Sequence, residues 1–166
     1  MKPISFAILK LLSDGQFHSG TQIAQFLGVS RTSVSNALRG IDEFGVTLYR
    51  VTGKGYRWIN PVQWLDKNAI NQYLAEYSQR FRITIDEIAE STNTILLNTS
   101  KAKNYDQSMI DVVVTELQTK GRGRRGRSWF SGLGDSLTFS LSWQFQQGVN
   151  FLAGLSLAVG VAIIRT

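Results

Sequence analysis

The sequence has no cysteine and a single histidine, His18. Disulfides, thiol nucleophiles and cysteine-based zinc sites are thereby excluded, and a histidine-centred triad nearly so. Acidic residues are outnumbered, twelve Asp and Glu against eighteen Lys and Arg, for a net charge of +6. Long apolar runs are also missing. The most apolar stretch, Phe151 to Ile164, is too short to span a bilayer and contains Gly154, Ser156 and Gly160, so it reads as a buried helix. The N-terminal Met-Lys-Pro-Ile-Ser-Phe lacks the apolar core and cleavage site of a signal peptide. A cytoplasmic location and no membrane partner are the resulting expectations.

What remains is globular material: 166 residues, 43% hydrophobic and 18% charged. The charge is not evenly spread. Residues 1–60 hold seven basic and three acidic residues (+4), residues 61–115 five and seven (−2), and residues 116–166 six and two (+4). Two basic regions separated by an acidic one point to two anion sites rather than one diffuse patch.

Apolar periodicity from Ile4 to Leu12 predicts a first helix, stopped by Asp14-Gly15. Ser19 is placed to cap a second, ended by Gly28, and Ser30 a third running to about Phe44 and Gly45. In the third helix Val34, Ala37, Leu38 and Ile41 form the core face. The opposite face presents Arg31, Thr32, Ser33, Ser35, Asn36 and Arg39, with no acid before Asp42. Hydroxyls, an amide and guanidinium groups can read base edges and hold phosphates. Two β-rich runs then flank Gly53-Lys54-Gly55, a hairpin carrying Arg50, Lys54 and Arg57. Residues 1–60 therefore read as a winged helix-turn-helix that binds double-stranded DNA through Ser30, Arg31, Thr32, Ser33, Ser35, Asn36, Arg39, Lys54 and Arg57. A helix-turn-helix used as a protein-interaction module is the alternative.

Asn60-Pro61 ends the wing, and 61–66 reads as a linker. Asp66 caps a helix through Tyr77, with Ala69, Ile70, Tyr73, Leu74 and Tyr77 on one face. Phe81 to Ile88 is a strand, Glu90-Ser91-Thr92-Asn93 opens a helix from Thr94 to Lys101, and residues 110–117 form a central β-branched strand. Ser136 to Phe145 alternates apolar and polar residues, as in a half-buried strand of a mixed sheet. The fold class is α+β, with residues 67–166 forming the second domain. That domain, with only three clear strands and ending on a buried helix, reads as truncated.

Between the two best strands lies Gln118-Thr-Lys-Gly-Arg-Gly-Arg-Arg-Gly-Arg-Ser-Trp129, with five positive charges from Lys120 to Arg127. Its glycines permit left-handed backbone and close approach of a ligand, and guanidinium forks match phosphate oxygens. Such a loop is expected to be mobile when empty and ordered by phosphate. Arg-Gly runs also occur in disordered RNA-binding tails, but this one is short and pinned between strands. Gly121-x4-Gly126-Arg127-Ser128 mimics a P-loop, yet it leads into a strand where a P-loop opens a helix.

The winged helix, Glu90-Ser91-Thr92-Asn93, Glu116-Leu-Gln118 and Gly121-Arg-Gly-Arg-Arg-Gly-Arg127-Ser-Trp129-Phe130-Ser131, taken together, resemble the bifunctional biotin–protein ligases and biotin operon repressors. The resemblance implies an ATP-dependent, adenylate-forming ligase that makes biotinyl-5'-AMP, passes biotin to a lysine of the biotin carboxyl carrier protein, and represses biotin synthesis at operator DNA. It implies biotin and ATP as substrates, Mg²⁺ as a companion, no resident metal site, and a homodimer when biotinyl-AMP is bound. It places Ser91, Thr92, Asn93, Gln118, Arg122 and Arg124 at biotin and Gly121, Gly123, Arg125, Gly126, Arg127 and Trp129 at the nucleotide, with Arg124 and Arg122 as the catalytic cations. For Trp129 a core position is the competing reading. The family's Lys-Trp-Pro-Asn-Asp segment and small C-terminal domain are not in this sequence, so the chain on its own is expected to lack part of the adenylate pocket. A stand-alone winged-helix regulator with a ligand-sensing domain is the alternative function, and a lipoate-type ligase a weaker one.

Overall fold

The computed structural model describes residues 1–60, 62–102, 105–106, 108–146, 148 and 152–165, with the side chain of residue 124 outside that description. The first unit holds three helices, α1 (Pro3–Leu12), α2 (Gly20–Leu27) and α3 (Arg31–Ala37), and the hairpin β1 (Leu48–Val51) and β2 (Gly55–Trp58). Each helix start has a local cause. Pro3 occupies the first turn of α1, where its missing N–H costs nothing. Ser19 and Gln22 form a reciprocal capping box on α2, with N···O distances of 3.1 and 2.9 Å. Ser30 accepts from the Ser33 N–H at 3.0 Å to cap α3. Gly28, at φ +65°, ends α2 in the left-handed conformation that glycine adopts without strain.

The third helix is shorter than its periodicity predicts. It stops at Ala37, Gly40 takes φ +74°, and Ile41–Phe44 continues as a separate 3-10 turn. Ile41 still reaches the core, so the break redirects the chain without losing its apolar anchor. Phe6, Ile8, Leu9, Leu12 and Val34 are fully buried, each burial contributing roughly 1.5–3 kcal/mol.

The wing is tied to the helices. His18 and Tyr56 exchange two backbone hydrogen bonds of 2.9 Å, which adds the chain before α2 to the hairpin as a third short strand. Gly55 makes this possible: at φ +104°, a Cβ there would lie 2.1 Å from the His18 carbonyl oxygen.

In the second unit β3 (Phe81–Ala89) runs parallel to β4 (Ile110–Gln118), and β4 runs antiparallel to β7 (Thr138–Ser142), giving a mixed sheet with β4 central. Helix α5 (Thr92–Thr99) lies against β4 and β7. The Gly-Arg segment forms a small hairpin, β5 (Gly121–Arg122) and β6 (Ser128–Trp129), around a tight turn at Arg124–Gly126. Buried Asp111 on β4 accepts from the Arg82 guanidinium and the Tyr105 hydroxyl, and Arg82 in particular holds its carboxyl below the usual range.

Three apolar expectations fail. The helix capped by Asp66, α4 (Lys67–Leu74), ends at Ala75, whose φ is +47°, and buries none of its residues; Tyr73 is 92% exposed. The C-terminal helix α6 (Leu155–Arg165), read as buried, has no buried residue. On β7 the apolar face of Leu137, Phe139, Leu141 and Trp143 is exposed, while Thr138 on the polar face is buried. Periodicity identifies an apolar face, but burial needs a second surface to meet it, and these faces stay largely exposed among the described residues.

The segment read as a linker is packed. Trp64 lies 5.0 Å from the Phe6 ring and 5.9 Å from Trp58, and Val62 joins the same cluster. Leu117 of β4 and Leu133, 1% and 2% exposed, belong to that cluster too, so one apolar core runs from α1 into the sheet. No helix among the described residues is long and apolar enough to cross a membrane.

Candidate functional sites

Two concave sites gather residues singled out by the sequence. The first is an open groove of about 800 Å³ between the start of α2, the exposed face of α3 and the wing. Arg31, Thr32, Ser35, Asn36 and Arg39 line it from α3 and its C-terminal end, as the sequence predicts. The Arg39 guanidinium donates to Asn36 Oδ1 at 3.0 Å, pre-arranging the two. Ser30 and Ser33 stand apart, with hydroxyls 2.9 Å from each other at the helix cap. Lys54 and Arg57 also lie off the groove, both over the Phe17 ring at 5.8 and 5.7 Å. Their place is taken by Arg50, which stacks on Tyr56 at 5.6 Å and lines the groove with it. Strand alternation carries this signal: Arg50 pairs with Tyr56 on one face of the hairpin, and Tyr49 with Arg57 on the other.

The second site is a pocket of about 250 Å³ where β4, the start of α5, the β5–β6 hairpin and β7 converge. Ser91, Thr92, Asn93, Gln118, Arg122 and Trp129 all line it. Gln118 Oε1 accepts from the Thr92 N–H at 2.9 Å, Thr92 Oγ1 lies 2.8 Å from Ser140 Oγ, and Ser91 caps α5. Arg122, which lines the pocket, donates to Thr94 Oγ1 on α5. Lys120 pairs with Glu90 at 2.6 Å, pinning the approach to the Gly-Arg segment. Gly121 is required, because a Cβ would sit 2.6 Å from the Trp129 carbonyl oxygen. Trp129 is 59% exposed, so it is a pocket wall and not a core aromatic.

Gly123, Arg125, Gly126 and Arg127 belong to the hairpin turn and do not line the pocket; Arg125 is held at φ +60° and Gly126 at +74°. The side chain of Arg124 lies outside the described residues. Sequence reasoning missed Ser136, Thr138 and Ser140, which also line the pocket. The alternation of β7 was visible, but its polar face reads as solvated from sequence, whereas here it faces a cavity. Chemically the described lining offers hydroxyls, the carboxamides of Asn93 and Gln118, the Arg122 cation and the apolar walls of Trp129, Leu137 and Phe139, a set suited to a neutral polar ring joined to an anion.

A helix-turn-helix domain model matches residues 5–57, and a model of the biotin/lipoate A/B protein ligase family matches residues 85–166. This is a helix-turn-helix unit joined to a biotin/lipoate ligase-family unit. The chain is 35% identical over 160 residues to the bifunctional ligase/repressor BirA of Salmonella typhimurium and 34% identical over 160 residues to that of Escherichia coli, in each case over 96% of its length. It is 27% identical over 150 residues to BirA of Bacillus subtilis, covering 90% of this chain and 45% of that protein. The chain spans about half the length of these relatives, 48% of the first and 47% of the second. The ligase-family match contains both the polar pocket and the Gly-Arg hairpin, and the helix-turn-helix match contains every residue that lines the groove.

Proposed function

We propose that this chain serves a biotin–[carrier protein] ligase that also represses transcription, with residues 1–60 reading DNA, 61–66 connecting, and 67–166 contributing to the ligase domain. The observation that carries the reading is the convergence of Ser91, Thr92, Asn93, Gln118 and Arg122 on one pocket. Hydroxyls and the Gln118 amide suit a ureido ring, and Arg122 suits the carboxylate at the other end of biotin. In the reaction, a carboxylate oxygen attacks the α-phosphorus of ATP and pyrophosphate leaves. A lysine amine of the carrier protein then attacks the acyl carbon, and AMP leaves. The protein's part is positioning and neutralisation of phosphate charge, by Arg122 and Arg124 at the reacting groups and by the glycine-rich turn with Arg125, Arg127 and Trp129 at the nucleotide. No group of three His, Asp or Glu side chains suited to a metal occurs among the described residues. Magnesium accompanying ATP would be held chiefly by phosphate oxygens.

The groove supports operator binding, with Arg31, Asn36 and Arg39 at base edges or phosphates and Arg50 at the backbone; Lys54 and Arg57 would extend the backbone contact from the outer face of the wing. A homodimer formed with biotinyl-AMP would pair two such grooves on a palindrome, and a cytoplasmic location gives access to both ATP and DNA.

Calorimetric titration with biotin, biotinyl-AMP and lipoate in parallel tests the pocket. Binding of the first two, lost in Arg122→Ala and Gln118→Ala, is expected. No response to any of them, with DNA binding intact, would instead favour a stand-alone regulator. For the groove, the triple alanine variant at Arg31, Asn36 and Arg39 should lose operator binding, and unchanged affinity would refute the assignment.

A further inference from the structure

Three consecutive residues at the end of β4 are anchored in three different places. Glu116 Oε1 accepts from the backbone N–H of Leu65 at 2.6 Å, on the segment that leaves the winged helix. Leu117, pointing to the opposite face, is buried in the core with Phe6, Leu9 and Trp58. Gln118, back on the face of Glu116, holds the Thr92 N–H in the pocket. A second tie runs beside the first: Lys10 of α1 pairs with Glu87 of β3 and lies over the Phe6 and Trp64 rings.

We propose that Glu116 is a positioning residue for the pocket, fixing Gln118 and through it Thr92 by fastening β4 to the chain that emerges from the DNA-binding unit. The inference rests on the biotin reading given above. Glu116 does not line the pocket and cannot touch the ligand. Its action is geometric: two residues along a strand, about 7 Å, separate its anchor from the Gln118 amide. Freeing that anchor lets the end of β4 shift, and a displacement of about 1 Å is enough to spoil a hydrogen-bonded site. A carboxylate is not essential for this. Any side chain with an acceptor oxygen at that position would hold Leu65.

The test compares Glu116→Ala, Glu116→Gln and a core control, Ile8→Val, in the full 166-residue chain, at a temperature where all are folded. Two quantities are read: the biotin dissociation constant and the exchange rate of the Thr92 amide hydrogen. Glu116→Ala should weaken biotin binding about tenfold and speed Thr92 exchange by a similar factor. Glu116→Gln, whose amide oxygen still accepts from Leu65, should stay within about threefold of the parent in both. Ile8→Val should lower the melting temperature and leave both readings unchanged. An unaltered Thr92 amide in Glu116→Ala would overturn the proposal, as would a Gln variant as impaired as the Ala variant. If the parent chain binds no biotin, the biotin reading fails by itself, and the exchange measurement still decides the role of Glu116.

Discussion

The two basic regions carry equal net charge and hold it in different ways. In the groove, Arg31 and Arg39 project from α3 and the turn after it, and Arg50 is stacked on Tyr56, so the cations are arranged before any ligand arrives. In the Gly-Arg hairpin, Arg122 alone of the arginines with described side chains lines the pocket, while Arg125 and Arg127 sit on a turn held by a few backbone bonds, among them Gly123 N–H to the Arg127 carbonyl at 2.7 Å. The same residue type thus sits pre-arranged on a helix and strand in one place and on a glycine-rich turn in the other. The scaffolds differ likewise: the helical unit is built on side chains with no solvent exposure, whereas β7 and α6 leave apolar faces open. Equal net charge does not predict equal packing.

The sharpest way to break the contrast is through the shared core. Leu9→Ala should cost about 3–5 kcal/mol in denaturant unfolding, in a single transition that includes the β-sheet because Leu117 belongs to the same cluster. Two separated transitions would show the units to be independent.

Next in size, Gly55→Ala should destabilise by about 2–3 kcal/mol and release the wing, since left-handed backbone and a clash with the His18 carbonyl are imposed together. Loss of DNA affinity, with biotin binding untouched, is the expected pattern, read by fluorescence anisotropy. Arg82→Ala should destabilise the protein near neutral pH by leaving buried Asp111 with Tyr105 and without its cation. The parent's contribution is fully present above pH about 4, the unfolded value, and disappears as pH falls through the depressed folded value of Asp111. The variant and parent should therefore converge in acid melts.

Glu116 has the opposite sign. Burial raises its pKa, partly countered by the Leu65 N–H and by Lys10, while Glu87 pushes it further up. Its stabilising share is full below the unfolded value and declines as pH rises through the folded one, so Glu116→Gln should flatten the stability profile above pH about 4.5. The smallest effect belongs to the groove. Arg39→Ala should reduce the salt dependence of DNA binding by about one phosphate contact.

Much of this was legible in advance, because caps, glycines and periodicity act locally. Ser19, Gly28 and Ser30 each mark a boundary that the structure keeps, and the motif residues Ser91, Thr92, Asn93 and Gln118 do converge. What sequence could not supply were the facts that depend on a second surface. Gly40 interrupts α3 early because the chain must turn back to the core. Val62 and Trp64 look like linker residues until Phe6 and Trp58 are placed beside them. Thr138 and Ser140 look solvated until α5 is laid against β7. Leu157 to Ile164 has a buried composition, yet no described residue of its helix is buried.

Trp64 lets one further point be made about inheritance. A chain crossed with another at residue 60 would receive helices with a vacancy shaped like an indole, and would leave behind Leu117 and Leu133 facing water. The reading head and the pocket can therefore be exchanged between proteins only together with the few residues that join them. Those joining residues should vary in step with the first helix, although they bind neither DNA nor ligand.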